Sequence, residues 1–416
     1  MKAKCIIASL LLVSAIILLT SCDGDTQVSS DQVTNSMQTS DNENSDNSQM
    51  DSSKTNEYSY QEVNFEVNTK CEFLQDSETG VIYYLDKNGD SKYGLINSNG
   101  EILLEPTFDG IRPPREGVCV VKNQDESLFL ADENGKKTAD VKSDYKFQLA
   151  TGSFTDCRFK EGYVFLPIKS DSENQYVCVD KNGNVVFETG YSSLSDFTNG
   201  VSVGLDRPES NICNVVAIDT KGNTLWSVQV EAFPEKSRSP KITDGLIVYM
   251  DSDSKLYGAV DINGKQTLEC KYEELSFAGD GLIGVYKYGA WGYMDYYGNI
   301  VIEPQFSEVK EFIDGQAIVK EGDKKFVIDK KGNKLFGLGD ICSQYENGLY
   351  SDYYYNDSNL ARLLNHDGSE IYSTECKALN YDGVQYGISY NGGSVFYRFE
   401  ENSGTKEYNF FKLIKN

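Results

Sequence analysis

From about residue 80 onward the chain alternates apolar and polar positions in short runs, each interrupted by a glycine-centred turn. Trp291 to Asp295 alternates aromatic or apolar side chains with small or polar ones, and Asn299-Ile-Val-Ile302 is β-branched. Both patterns predict short strands, because successive strand side chains point to opposite faces and β-branched residues suit a pleated surface. Between them, Asp295-Tyr-Tyr-Gly298 has the chemistry of a tight hairpin: the carboxylate accepts from turn amides and glycine takes the positive-φ position. The same frame recurs at Asp132, Asp180, Asp219, Asp261, Asp329 and Asn365. An extended piece follows, Pro304-Gln-Phe306, matched by Pro106-Thr-Phe108 and loosely by Cys270-Lys-Tyr272. Gly315 then opens a further apolar strand, Gln316 to Val319.

Two glycines therefore anchor a repeating phrase. The first recurs at Gly100, Gly135, Gly183, Gly222, Gly264, Gly298, Gly332 and Gly368, with gaps of 35, 48, 39, 42, 34, 34 and 36 residues. The second follows at Gly117, Gly162, Gly200, Gly245, Gly281, Gly315, Gly348 and Gly383. A period in this range marks solenoids, propellers or arrays, whose units cannot bury both faces alone and must stack. Tight hairpins exclude a parallel β-helix. The expectation is an all-β antiparallel repeat array, a β-propeller of seven or eight blades, with an open solenoid of β-hairpins as the alternative. The ends point to closure: Val63, Phe65 and Val67 alternate as a strand, while Phe396 to Phe399 and Tyr408 to Ile414 could complete a split blade.

Residues Lys287 to Lys320 resemble the WG repeat of bacterial proteins. The matching positions are Trp291-Gly292, Asp295, Gly298, the Ile300 to Ile302 run, Pro304, Phe306 and Gly315-Gln-Ala317-Ile-Val319. Degenerate copies appear as Tyr93-Gly94 with Pro106, and as Tyr257-Gly258 with Asp261 and Gly264. The units opening near Leu128, Val177, Val215, Phe326 and Arg362 lack the Trp-Gly pair. The resemblance implies a repeat scaffold, often on exported or surface proteins, with no defined activity.

The N-terminus adds location. Two lysines precede the apolar run Cys5 to Leu19, and Leu19-Thr20-Ser21-Cys22 resembles a bacterial lipoprotein lipobox. The run is shorter than the ~20 residues that span a bilayer, which favours a cleaved signal. Residues 1–21 read as signal peptide, and Cys22 as a diacylated, palmitate-type attachment site. Residues 22–57 then read as an acidic, Ser- and Asn-rich disordered tether, and residues 58–416 as the repeat domain.

Charge excludes one class of partner. The formal charge is −25, and loss of Lys2 and Lys4 with the signal makes it −27, which repels nucleic acid. Outside Cys5 and Cys22 the cysteines are Cys71, Cys119, Cys157, Cys178, Cys213, Cys270, Cys342 and Cys376. None forms a C-x-x-C pair, and those in apolar runs read as free core thiols.

Candidate chemistry is sparse. The one histidine, His366, sits in a predicted turn without a local nucleophile or orienting partner, and nothing resembles a zinc cluster. Asp86-Lys-Asn88-Gly89-Asp90 and Asp180-Lys-Asn182-Gly183-Asn184 partly imitate calcium loops but read as hairpin turns. No catalytic residue, metal or cofactor is assigned. Trp291, Tyr293 and Phe306 read as packing, whereas Tyr296 and Tyr297 at a turn tip, and Tyr350, Tyr353 and Tyr354 in a tyrosine cluster, are candidate ligand contacts. The expected function is a monomeric, lipid-anchored binding or scaffolding module for an envelope protein or glycan; the alternative is a carboxylate-dependent glycan hydrolase or lyase.

Overall fold

A computed structural model describes residues 57–416, apart from 64–70, 75–81, 87–91, 113, 148–156, 170–174, 192–193, 210–211, 231–240, 355–359, 380–382, 391–394 and 403–404. The signal peptide, the lipobox Leu19 to Ser21, Cys22 and nearly all of the tether lie outside the described residues. So do Phe65, Val67 and most of the Asp86 loop.

Among the described residues every regular element is a strand, and the strands form nine antiparallel sheets in chain order. The sixth sheet runs Glu274–Gly279, Leu282–Lys287, Ala290–Asp295 and Ile300–Phe306. The seventh runs Glu308–Val309, Gln316–Glu321, Lys324–Asp329 and Lys334–Leu338. The expected seven or eight blades become nine sheets because the repeating phrase is out of step with the sheets. Gly298 closes the last hairpin of the sixth sheet, whereas Gly315 opens the second strand of the seventh. Each phrase thus starts in one sheet and ends in the next, and eight phrases bridge nine sheets.

The ninth sheet joins the two ends of the chain. It takes Lys377–Leu379, Gly383–Ser389, Val395–Asn402 and Thr405–Lys415, then adds Tyr58–Val63 as a fifth strand. Tyr58 lies opposite Lys415 and Val63 opposite Phe410. The predicted C-terminal strands are present, and at the N-terminus Tyr58–Val63 is a strand that includes Val63 of the predicted alternation. Lys412 Nζ also donates to Asn99 Oδ1 at 2.9 Å, in a turn of the first sheet. The last sheet therefore meets the first, which favours a propeller-type ring over an open stack.

The repeat signature explains itself in the sixth sheet. Trp291 pairs with Phe306 but Tyr293 pairs with Ile302, so a bulge centred on Glu303-Pro304 lies opposite Gly292. The same shift separates Tyr93–Phe108 from Leu95–Leu104, and Tyr257–Tyr272 from Ala259–Leu268. A bulge tolerates proline's missing donor, which accounts for the Pro-x-aromatic piece. It also crowds the facing strand: a Cβ on Gly292 would lie 2.4 Å from the Ile302 carbonyl oxygen. Trp291 is half-buried, its ring 5.4 Å from that of Tyr286.

Burial occurs between sheets, as stacking requires. Tyr293, Ile302 and Phe306 of the sixth sheet pack with Ala317, Val319 and Ile328 of the seventh. Seven described cysteines carry free thiols, five of them buried. Burial pushes the Cys119 and Cys178 thiols up to about 12, so both behave as small apolar core groups.

Candidate functional site

Two kinds of turn lie at one end of the sixth and seventh sheets, because antiparallel order puts the first and third hairpins of a four-stranded sheet at the same end. The third hairpin carries the first glycine. In the sixth sheet Asp295 Oδ1 accepts from the Tyr297 and Asn299 amides, both at 2.9 Å, and Asn299 Nδ2 donates to Oδ2 at 2.9 Å. The Asn299 side chain leads the group of donors that hold the Asp295 carboxyl below the usual carboxylate range. Asp180 is built alike: burial opposes its ionisation, but Asn184 and the Asn182 amide outweigh that and lower its pKa. This loop is the hairpin that its sequence suggested.

The turn glycine serves the neighbouring sheet as well. Gly264 has φ +79, and a Cβ there would lie 2.6 Å from the Trp226 ring of the preceding sheet. Gly368 stands likewise 2.6 Å from Phe336. Positive φ and lack of clearance both demand glycine here.

The other turn holds the second glycine, and here the structure supplies what sequence reading missed. Glu116, Glu161, Asn199, Asp244, Asp280 and Asp314 precede these glycines with φ between 50 and 52°, and the glycines themselves lie between 75 and 84°. Two consecutive positive-φ residues make the type I′ turn of a two-residue hairpin. The side chain of the first then reaches the next sheet. Glu116 accepts from the Glu161 and Gly162 amides at 2.7 and 2.9 Å, and Glu161 from Asn199 and Gly200 at 2.7 Å each. Asp244 accepts from the Gly281 amide at 2.6 Å and Asp280 from Gly315 at 2.6 Å. Each carboxylate thus clasps the next turn of this kind, which itself bears a carboxylate except at Asn199. The signal was visible as Glu, Asp or Asn before each of these glycines.

A third element tightens the seams. The residue after the hairpin Asp or Asn reaches back to the preceding clasp: Lys181 Nζ to Glu116 Oε2 at 3.2 Å, and the Tyr296 hydroxyl to Asp244. His366 does the same, with Nε2 3.1 Å from the Asp314 carbonyl oxygen and 3.7 Å from its carboxylate. At Glu116 partial burial opposes ionisation, yet the Gly162 and Glu161 amides and Lys181 overcome it and lower the pKa.

A shallow cleft of about 600 Å³ lies where these seams meet the closing strand, lined by residues that include Glu57, Tyr58, Asp280, Asp314, His366 and Lys415. Its acids are the clasp acid Asp280 of the sixth sheet and Asp314 of the seventh, joined by Glu57 and Glu346. Gln316 Nε2 lies 3.4 Å from His366 Nδ1, so the imidazole is fixed between a side-chain amide and a backbone carbonyl.

The candidate aromatic contacts separate. Tyr297 is 90% exposed at its turn tip. Tyr296, beside it, is half-buried and spent on Asp244. Tyr350 is fully buried, its hydroxyl donating to Gln316 Oε1 at 2.7 Å and its ring 5.3 Å from Phe336. The strand alternation that put it among exposed tyrosines was broken by packing against the seventh sheet. Tyr353 donates to the Ile388 carbonyl of the ninth sheet. Tyr354 takes Arg362 Nη2 at 2.9 Å, and Arg362 also pairs with buried Asp352. Tyr288, 87% exposed at the opposite end of the sixth sheet, was not anticipated. Trp291, Gly292, Asp295, Gly298, Pro304, Phe306 and Gly315 fall on the bulge, hairpin and clasp described above.

Residues 93–126, 178–203, 257–289 and 291–324 match the profile of the WG containing repeat. The chain carries WG repeats. Each matched stretch of the WG repeat begins in one sheet and ends in the next, the same offset as the phrase. The stretch 178–203 lies in a unit without a Trp-Gly pair. No curated protein matches the chain. Among solved structures, a eukaryotic initiation factor covers 75% of this chain and 90% of its own, at 10% identity and a TM-score of 0.52. BamB from Moraxella catarrhalis covers 85% and 97%, at 12% identity and a TM-score of 0.37. The Dos1 propeller covers 71% and 90%, at 12% identity and a TM-score of 0.39. The likeness to the initiation factor bears on the fold alone.

Proposed function

We propose that this protein is an exported, lipid-anchored binding or scaffolding module of the bacterial cell envelope, held to the membrane through Cys22, with an envelope protein or glycan as its ligand. The observation that carries the binding reading is the use of the repeat-end acids. Glu116, Glu161, Asp244 and Asp280 accept backbone amides of neighbouring sheets, so the acids that recur with the repeat hold the ring together. A glycosidase needs two carboxylates facing one substrate with no such duty. The exposed tyrosines Tyr297 and Tyr288 supply stacking surface for a sugar or a peptide aromatic.

Purified residues 55–416, one compact unit, are incubated with intact envelope and with isolated cell-wall glycan, and the supernatant is assayed for released fragments. Retention without release, weakened by Tyr297→Ala or Tyr288→Ala, is the expected result; fragment release overturns the binding reading in favour of a glycan hydrolase. Anchoring has its own test. A palmitate analogue fed to cells should label the wild-type chain and not Cys22→Ala, and labelling of neither removes the anchor.

A further inference from the structure

The ninth sheet differs from the others described in having a fifth strand. Its four C-terminal strands already match the four of the sixth and seventh sheets, so Tyr58–Val63 is surplus to the repeat. This strand pairs with one neighbour, Thr405–Lys415, which at 11 residues is the longest strand described. Without it the sheet would remain four-stranded, but the backbone edge of that long strand would be bare, and an unpaired edge is a template for another strand.

The fit of the occupant is specific. Tyr60 stands edge-on to Tyr372, Phe396 and Phe411 at 5.3, 5.9 and 5.6 Å between ring centroids. Ser59 Oγ donates to Asn416 Oδ1 at 2.9 Å, the Asn416 amide donates to the Glu57 carbonyl at 2.8 Å, and Lys415 pairs with Glu57 at 3.1 Å.

We propose that the outer edge of Thr405–Lys415 is a strand-acceptor site, and that the N-terminal strand filling it exchanges with that of a second copy of the chain to give a strand-swapped dimer. The partner is a second copy because its Tyr58–Val63 brings the same six register pairs and the same Tyr60 ring, so the pairing broken within one chain is remade between two. The closed monomer then prevails when dilute and the dimer grows with concentration.

Ser59 and Ile414 are register partners, so two full-length chains, one Ser59→Cys and the other Ile414→Cys, are mixed at high concentration and oxidised. Neither can close a disulfide between these positions within itself. The expected result is a covalent heterodimer on a non-reducing gel at roughly tenfold or more the yield of the mixture Val63→Cys with Ile414→Cys, in which the cysteines are out of register. Equal yields from the two mixtures would overturn the proposal. A chain carrying both Ser59→Cys and Ile414→Cys should instead lock as a monomer and form no dimer with fresh wild-type chain. Failure of that lock to form overturns the register on which the exchange depends.

Discussion

The seams between the second, third and fourth sheets and those between the fifth, sixth and seventh use the same turn with different acids. In the first group glutamate spans the gap and takes two amides of the next turn; in the second, aspartate takes one. One methylene separates the two. The shorter side chain is supplemented at Asp244 by the Tyr296 hydroxyl, whereas Glu116 receives Lys181. A repeat can therefore drift in sequence and keep its seam, provided an oxygen acceptor precedes the glycine. The stretch 178–203, which matches the WG repeat without Trp-Gly, keeps this turn at Asn199-Gly200 and has it clasped by Glu161.

The largest effects should come from the glycines, which divide by what stands opposite them. Gly292→Ala drives a Cβ to 2.4 Å from a backbone oxygen, whereas a Cβ on Gly117 meets nothing within 4 Å. Gly117→Ala should thus cost only the ~1–2 kcal/mol of a left-handed backbone, and Gly292→Ala upwards of ~3 kcal/mol, read as the difference in chemical unfolding midpoints. Equal costs would deny the bulge its role.

Clasp acids come next. Glu161→Ala removes two amide partners and Asp280→Ala one, so losses of ~2 and ~1 kcal/mol are expected, respectively. Glu161→Asp should fall between wild type and Glu161→Ala. Were all three variants to unfold at the wild-type midpoint, the seam bonds would contribute nothing to stability.

Acid sensitivity follows from the same groups. Asp180, Asp219, Asp295 and Glu116 have folded pKa values below their unfolded ones. Their contribution is present above the unfolded value, near pH 4, and fades as the pH falls through the lower folded value. Tm should therefore drop as the pH falls below about 4, less steeply in Asn299→Ala, which removes the leading cause at Asp295. An unchanged slope would detach that carboxylate from the transition.

The smallest effect is a control on the comparison. Tyr297→Ala should leave Tm unchanged, because the side chain is 90% exposed.

Much of this was legible in the chain. Period-2 alternation and the Asp-x-x-Gly frame marked the strands and hairpins, since both depend on local geometry alone. The blade count was not legible, because the phrase repeats with the same period wherever its frame is cut, and only pairing shows that Gly298 and Gly315 belong to different sheets. The clasps escaped for a related reason. Glu161 before Gly162 looks like ordinary turn chemistry, and its partners lie 38 and 39 residues further along. Tyr350 was misplaced because a strand buried on both faces does not announce which tyrosine faces the core.

Small-angle scattering from residues 55–416 tests closure of the ring most directly. Ends that meet, as Tyr58 with Lys415 and Lys412 with Asn99 require, predict a compact particle with a radius of gyration of about 21 Å. A value well above that, with a maximum dimension growing as an extended stack of hairpins would have it, would contradict the ring and return the chain to an open solenoid.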